Sequence, residues 1–263
     1  MAKKTRLDKF LCDSLNITRK EAKEAVKKGK VTINGEVVKK PECKLDADDD
    51  QVEFEHQPVI FEQFHYLMLH KPQGVVSATK DNHDKTVIDL IHEDFKDKLF
   101  PVGRLDKDTE GLLLLTDDGM LAHELLAPGK HVDKTYFVRV EGNVTPEAVA
   151  KLEEGVDIGE AKLTMPAKAE IVGGSFEAEA ETFSKTVRVR RENLPEVYTE
   201  LYLTIHEGKF HQVKRMMEAV GTPVIYLKRL SMGTLTLPDD LKKGECRPLT
   251  EKEVTELKES VKR

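Results

Sequence analysis

The chain has 263 residues, 39% of them hydrophobic and 34% charged, with a formal net charge of −6, a balance typical of a folded rather than a disordered protein. Its longest apolar run, Leu112 to Leu115, is far shorter than the roughly 18 residues of a membrane span, and no apolar signal-peptide core follows Met1. The scattered cysteines Cys12, Cys43 and Cys246 offer neither metal-ligand spacing nor a disulfide framework, so we expect a cytoplasmic protein with reduced thiols and no metal site.

The charge is unevenly distributed along the chain. Residues 1 to 44 hold 13 Lys or Arg and 6 Asp or Glu, whereas the remainder holds 29 basic and 42 acidic residues. This asymmetry favours a basic module attached to an acidic body, although a solvated lysine-rich face would explain the charge alone equally well.

The first 58 residues predict two helices followed by a hairpin. Apolar residues at helical spacing predict a helix over 6–15, and Thr18 with Glu21 matches a capping box that begins a second helix. Gly29 stands where a left-handed residue would end that helix. Two β-branched runs then flank Asn34-Gly35, which is a strong hairpin signal.

A basic stripe follows the second helix and its exit. Its members are Arg19, Lys20, Lys23, Lys27, Lys28 and Lys30. Such a stripe can displace counterions from a phosphate backbone. The segment ITRKEAKEAVKKGKVTINGEVV, with RLDKFL before it, resembles the S4-type RNA-binding domain. The resemblance implies recognition of folded RNA by shape and phosphate position, and the alternative is a helical hairpin that merely caps the protein.

The next element is a predicted strand, Tyr66 to Leu69, which ends at Lys71-Pro72-Gln73-Gly74. By itself this tetrapeptide indicates a surface turn. Later in the chain, FPVGRLDKDTEGLLLLTDDG predicts a turn at Gly103 and a buried strand at Leu112 to Leu115. Asp106 therefore lies on a loop that enters the core, where a carboxylate held by a cation can act as a nucleophile or base.

Two further segments carry candidate site residues. Lys134-Thr135-Tyr136 begins an alternating strand, in which Tyr136 by pattern alone is a structural residue. LYLTIHEGKFHQVKRMMEAVG predicts a strand and then a helix that ends at Gly221. On that helix Lys214 and Arg215 share a polar face, which solvation alone would also explain.

These motifs, in this order, resemble the ribosomal RNA pseudouridine synthases, in the branch that modifies small-subunit 16S RNA (the RsuA family). The resemblance implies that Asp106 is the catalytic carboxylate, that Tyr136 packs against the target base and that Lys214 pairs with Asp106. Many relatives carry arginine at the position of Lys214, and often a second arginine at that of Ser231. The further RNA-contacting residues that the resemblance implies are Lys71, Arg104, Lys134, His211, Gln212, Arg215 and Arg229.

The implied reaction converts uridine to pseudouridine, with uridine 516 of 16S RNA as the expected target, and it requires no cofactor. The partner is then 16S RNA within an assembling small subunit, and the enzyme is expected to be monomeric. Three alternatives remain: a non-catalytic RNA-binding or ribosome-assembly protein, a synthase that acts on large-subunit RNA, and a carboxylate glycosidase.

The fold class expected is α+β. A small amino-terminal α/β RNA-binding domain (1–58) should precede a catalytic domain (59–250) with a mixed, mainly antiparallel sheet flanked by helices. Residues 251–263 should form a carboxy-terminal helix.

Overall fold

The computed structural model describes residues 4–15, 17–47, 49–59, 64–175 and 195–261. The chain divides into two units, Met1–Phe64 and His65–Arg263. Among the described residues, each helix is too short or too polar to cross a membrane.

The amino-terminal unit combines two helices with short strands. Its elements are β1 (Thr5–Arg6), α1 (Leu7–Leu15), α2 (Arg19–Lys27), β2 (Val31–Ile33), β3 (Glu36–Val37), β4 (Lys44–Leu45), β5 (Val52–Phe54) and β6 (Gln57–Pro58). Strands β3, β2, β5 and β6 form one antiparallel sheet in that order, while β1 pairs with β4. A small core unites helices and strands, and its buried members are Leu7, Phe10, Leu11, Ala22, Val26, Val31, Leu45 and Val52.

Local signals in this unit act as predicted. Thr18 caps α2 by accepting from the Glu21 backbone NH at 3.3 Å, and the Glu21 carboxylate accepts from the Thr18 NH at 2.8 Å. Asn34 and Gly35 both have positive φ (52° and 83°), as the tight turn between β2 and β3 requires. Helix α1 begins at Leu7, one residue later than predicted, because Arg6 belongs to β1.

The second unit is built around one large sheet. Its elements are β7 (Tyr66–Lys71), β8 (Phe100–Pro101), β9 (Glu110–Thr116), α3 (Gly119–Leu126), β10 (Lys134–Glu141), α4 (Pro146–Glu154), β11 (Lys168–Gly174), β12 (Tyr198–Ile205), α5 (Gln212–Ala219), β13 (Val224–Met232), β14 (Leu235–Thr236), β15 (Cys246–Pro248) and α6 (Glu251–Ser260). The strand order is β11-β12-β10-β13-β9-β7-β15, with β14 beside β13 and β8 beside β9. The pair β9–β13 is parallel and the other pairs are antiparallel, which confirms the predicted mixed sheet.

Both faces of this sheet are covered. Leu113 and Leu115 of β9 face the core that contains residues of α4 and α5, whereas Leu112 and Leu114 face the core beneath α3 and α6. A strand buried on both faces reads as a continuous apolar run, which explains the four consecutive leucines. Because Leu257 of α6 lies in the second of these cores, the carboxy-terminal helix is part of this unit.

Gly111 permits the parallel contact at the centre of the sheet. Its φ is +112°, and a Cβ atom there would lie 2.2 Å from the backbone oxygen of Arg229 on β13. Only glycine fits at this approach. The residue therefore fixes the spacing between the loop before β9 and the strand β13.

Candidate active site

A cavity of about 350 Å³ opens on the α5 side of the sheet. Its walls come from the loop before β9, from β10 and β13, and from the segment that leads into α5. The polar residues that line it are Arg104, Asp106, Thr109, Lys134, Tyr136, Lys209, His211, Gln212, Lys214 and Arg229. The volume lies in the range of roughly 300–1,000 Å³ that is typical of small-molecule sites.

Asp106 presents its carboxylate to this cavity. One carboxylate oxygen lies 3.1 Å from the Lys214 ammonium, and the other lies 3.4 Å from Nε2 of His211. The side chain remains 24% exposed, so a ligand in the cavity can reach it. The backbone oxygen of Asp106 accepts from the Thr109 NH at 3.0 Å, which closes the loop that carries the carboxylate.

Lys214 joins two carboxylates of that loop. Besides Asp106 it binds Asp108 at 2.6 Å, although the Asp108 side chain is 70% exposed. Burial lowers the pKa of Lys214, but its hydrogen bonds to Asp108 and Asp106 outweigh burial and leave the pKa above its usual value. Burial likewise raises the pKa of Asp108, yet the hydrogen bond and charge of Lys214 bring it below its usual value. Lys214 is therefore a stable cation beside Asp106.

Lys71 holds the loop that carries Asp106 from inside the protein. Its side chain is fully buried, and the ammonium donates to the backbone oxygens of Pro72, Asp106 and Thr109 at 3.1, 2.9 and 2.9 Å. Burial lowers the pKa of Lys71 to about 8, against the raising effect of nearby carboxylates, chiefly Asp106. The predicted RNA contact at Lys71 is wrong, because a buried lysine bound to three carbonyls cannot reach a phosphate.

Tyr136 forms part of the cavity wall and is 7% exposed. Its backbone lies in β10, opposite Leu203 of β12 on one side and Arg229 of β13 on the other. Strands on both sides fix the position of the ring, so it offers a preorganised surface to a planar ligand.

Two further cations are buried in the same wall. Lys134 is 5% exposed and donates to the Val132 backbone oxygen at 2.8 Å, and Arg229 is 2% exposed and donates through Nε to the Leu112 oxygen at 2.7 Å. Nη2 of Arg229 has no hydrogen-bond partner among the described residues. Burial, and then the charge of Arg229, lower the pKa of Lys134 to about 8, against the raising effect of Asp133. Because buried cations are costly without partners, this wall suits an electron-rich ligand.

The side chain of Gln212, the first residue of α5, makes hydrogen bonds within the protein. Gln212 is 4% exposed, accepts from the Lys209 NH at 2.9 Å and donates to the Glu207 carboxylate at 2.8 Å. Because Gln212 also belongs to the cavity lining, its RNA contact stays a prediction.

Arg215 is also engaged with protein groups where the sequence predicts an RNA phosphate. Its guanidinium binds the Glu160 carboxylate and the Phe210 backbone oxygen, both at 3.0 Å, and also the backbone oxygen of Ile158. These contacts hold the segment before α5 in place. Arg104 and His211, in contrast, are accessible at the cavity, and their RNA contacts stay predictions.

Potential metal ligands are not clustered in the described ranges. Within them, no group of three or more His, Cys, Asp and Glu side chains could hold a metal ion.

A family model described as RNA pseudouridylate synthase matches residues 65–219, and an S4 domain model matches residues 5–51. The chain belongs to the RNA pseudouridylate synthase family. An uncharacterized RNA pseudouridine synthase of Bacillus subtilis strain 168 is 47% identical, and the alignment covers 97% of this chain and 98% of the relative. The ribosomal small subunit pseudouridine synthase A of Vibrio cholerae is 39% identical, with 96% and 99% covered. A solved crystal structure of a pseudouridylate synthase, 37% identical, has a TM-score of 0.62 and covers 96% of this chain and 99% of its own.

The chain is thus a pseudouridine synthase with an S4 domain at its amino terminus. The matched segment 65–219 contains Asp106, Tyr136 and Lys214, whereas Arg229 lies beyond it. The S4 match contains the whole of α2 and therefore the basic stripe. All six residues of the stripe are exposed, and two of them form ion pairs, Lys28 with Glu24 at 2.8 Å and Lys30 with Glu55 at 2.5 Å.

Sequence reasoning missed two residues of this candidate site. Asp108 reads as an ordinary exposed loop residue, and nothing in the sequence reveals its ion pair with Lys214. Phe210 lines the cavity while 67% exposed. The sequence signal that could have revealed it is an aromatic residue between polar neighbours, directly before a predicted helix.

Proposed function

We propose that this pseudouridine synthase isomerises a uridine of small-subunit ribosomal RNA, uridine 516 of 16S RNA, and that Asp106 is its catalytic carboxylate. The target is supported by the Vibrio cholerae relative, whose name assigns it to the ribosomal small subunit and which aligns over nearly the full length of both chains. The RNA is taken up as part of an assembling small subunit in the cytoplasm, and the enzyme acts as a monomer.

One observation carries the assignment of Asp106. Its carboxylate faces a cavity in which Lys214 supplies a cation at 3.1 Å and Tyr136 supplies an aromatic wall. These are the parts that the reaction needs: an ionised carboxylate, a counter-charge and a surface for a base that has left its stack.

The chemistry rearranges one molecule without adding or removing atoms. The bond between N1 of uracil and C1′ of ribose breaks, the uracil turns, and a bond forms between C5 and C1′ while the C5 hydrogen is lost and N1 gains a proton. Asp106 either attacks a carbon of the sugar or the uracil, or removes a sugar proton. In each route the carboxylate acts in its ionised form, and the ion pair with Lys214 stabilises that form before and after the reaction.

The walls of the cavity compensate the cost of exposing the base. Unstacking a nucleotide costs about a few kcal/mol. Stacking on Tyr136 returns roughly 1–3 kcal/mol. Lys134 and Arg229 then provide buried cations for the uracil carbonyl oxygens, which become more negative when the glycosidic bond breaks.

The S4 domain supplies affinity that does not depend on the reacting base. The basic stripe on α2 contacts phosphates, and Arg104 and His211 contact the RNA close to the cavity. Binding and chemistry therefore depend on different residues, and mutations can separate them.

The test incubates the full chain with 16S RNA, both protein-free and in partly assembled small-subunit particles, and maps pseudouridine by carbodiimide modification and primer extension. The wild type should produce a stop at one uridine, and Asp106→Asn should abolish it while RNA binding survives. Asp108→Asn is the matched control, because Asp108 is an acid of the same loop that also binds Lys214 yet is 70% exposed.

Asp108→Asn should keep most of the activity. Turnover near wild type in Asp106→Asn would refute the catalytic assignment. A stop in large-subunit RNA in place of 16S RNA would refute the target but not the chemistry, and RNA binding without any stop would favour a non-catalytic protein.

A further inference from the structure

Phe210 is a large apolar side chain exposed at the cavity. It is 67% exposed, although it stands with Asp106, Tyr136 and Lys214 among the lining residues. Isolated exposed apolar residues are common on protein surfaces. An aromatic ring at the opening of an RNA-modifying site is more specific, because its face is a stacking surface for a base.

The ring is held in place by its neighbours. One face stacks on the His211 ring, with centroids 3.8 Å apart and planes 17° apart. The Phe210 backbone oxygen accepts from Arg215 at 3.0 Å. His211 in turn lies 3.4 Å from the Asp106 carboxylate. A chain of contacts therefore runs from the catalytic carboxylate through His211 to Phe210.

We infer that Phe210 stacks on a nucleobase directly beside the target uridine in the RNA strand. This inference rests on the proposed function, and it adds a positioning residue to that site. When the uridine leaves the helix, its neighbour loses a stacking partner. The outer face of Phe210 replaces that partner while Tyr136 holds the uracil inside the cavity.

The geometry favours RNA as the occupant of this ring face. The exposed guanidinium of Arg104 belongs to the same cavity lining, which places a phosphate-binding cation and a base-stacking ring around one opening. Because every base has a π-face, the contact positions the strand without reading its sequence. Phe210 therefore acts mainly on binding of the strand.

The first measurement compares the Michaelis constants and turnover numbers of four full-length variants with wild type on a 16S RNA transcript. Phe210→Ala and Phe210→Leu should raise KM about tenfold with a smaller change in kcat, whereas Phe210→Tyr should stay near wild type. Met120→Ala is the matched control, because Met120 is a 74% exposed apolar residue of α3 that does not belong to the cavity lining, and it should change nothing.

Phe210→Leu separates stacking from simple apolar cover. Leucine keeps an apolar surface but has no ring, so wild-type KM in this variant would overturn the inference. An unchanged KM in Phe210→Ala would overturn it as well.

The second measurement observes the stack directly. An RNA fragment that contains the modified uridine carries 2-aminopurine at the position before or after it, and it is bound to Asp106→Asn enzyme so that no turnover occurs. Fluorescence should be quenched at one of the two positions, and adding Phe210→Ala should remove the quenching while Phe210→Tyr preserves it. Equal quenching with and without the Phe210 ring would refute the contact.

The two proposals fail differently. If the wild type modifies no uridine of 16S RNA, the proposed function is wrong. If the wild type modifies its uridine but Phe210→Ala keeps both KM and the quenching, only the role of Phe210 is wrong.

Discussion

The two units of this enzyme use lysine and arginine in opposite ways. On α2 the cations of the basic stripe are exposed and lie along one helix. In the second unit Lys71, Lys134 and Arg229 are at most 5% exposed, and each donates to at least one backbone oxygen. The exposed cations are available to phosphate. Of the buried cations, Lys71 is committed to the protein around it, whereas Lys134 and Arg229 can be reached only from the cavity.

This contrast teaches that residue type alone does not identify an RNA contact. Sequence motifs place Lys71 and the stripe residue Lys20 in the same functional class, yet only Lys20 faces solvent. Substitutions can therefore separate the two uses.

Lys71→Met should destabilise the second unit by about 3–5 kcal/mol, because it removes the donor shared by the backbone oxygens of Pro72, Asp106 and Thr109, although the Asp106 oxygen keeps a second donor in the Thr109 NH. Urea unfolding followed by circular dichroism measures this, since the chain has no tryptophan. Lys228→Met is the matched control. Lys228 is 8% exposed on β13 and, within the described part of the chain, has no hydrogen-bond partner, so its loss should cost under about 1 kcal/mol. Similar values for the two variants would contradict a loop-holding role.

Lys214→Met should lower kcat/KM by about 100-fold, because the Asp106 carboxylate loses its counter-charge inside the cavity. Lys214→Arg restores a cation and should stay within about tenfold of wild type. Single-turnover rates measured over a range of enzyme concentrations provide kcat/KM. If methionine and arginine give the same rate, the positive charge at this position does not serve the reaction.

Neutralising Lys20, Lys23 and Lys27 to glutamine should weaken RNA binding for all sequences and leave kcat unchanged. Each phosphate contact that is lost should reduce the slope of log affinity against log salt by about 0.7–0.9. Filter binding between low and moderate salt measures the slope.

The control for the stripe removes three exposed lysines of the second unit, Lys96, Lys98 and Lys151, in the same way. This variant should keep the wild-type slope. Equal slopes for the two triple variants would show that the helix α2 has no special part in RNA binding.

The smallest expected effect is on pH dependence. With a pKa of about 8, lowered first by burial and then by Arg229, Lys134 is charged below that pH and neutral above it. RNA binding should therefore weaken a few-fold as the pH rises from 7 to 9. Lys134→Arg keeps its charge and should flatten the profile. A profile that stays the same in this variant would assign the titration to another group, such as Lys71.

Much of the fold is readable from local signals. The capping box at Thr18, the Asn34-Gly35 turn and the leucine run of β9 each predict an element that the structure contains. Helix α4 and strand β11 were not predicted. Helix α4 had a signal in Thr145 and Pro146 at its start, whereas β11 is mostly exposed and lacks clear alternation.

The site is less readable because its residues meet only in three dimensions. Family motifs pointed to Asp106, Tyr136 and Lys214, and the structure brings these three around one cavity. The same motifs also imply an RNA contact at the fully buried Lys71, because spacing along the chain carries no information about burial. The partners of Lys71 are backbone carbonyl oxygens, which every residue has, so the sequence does not reveal them.

The parallel pairing of β9 with β13 has a consequence for how the enzyme is made. The chain between Thr116 and Val224 must be synthesised before these two strands can meet, and β15 must follow before it can pair with β7. Contacts of such high sequence separation form slowly, whereas the helices and hairpin of the S4 domain involve near neighbours. We therefore expect the RNA-binding unit to fold first on the nascent chain, and the Asp106 carboxylate to gain its partner from α5 only late in synthesis.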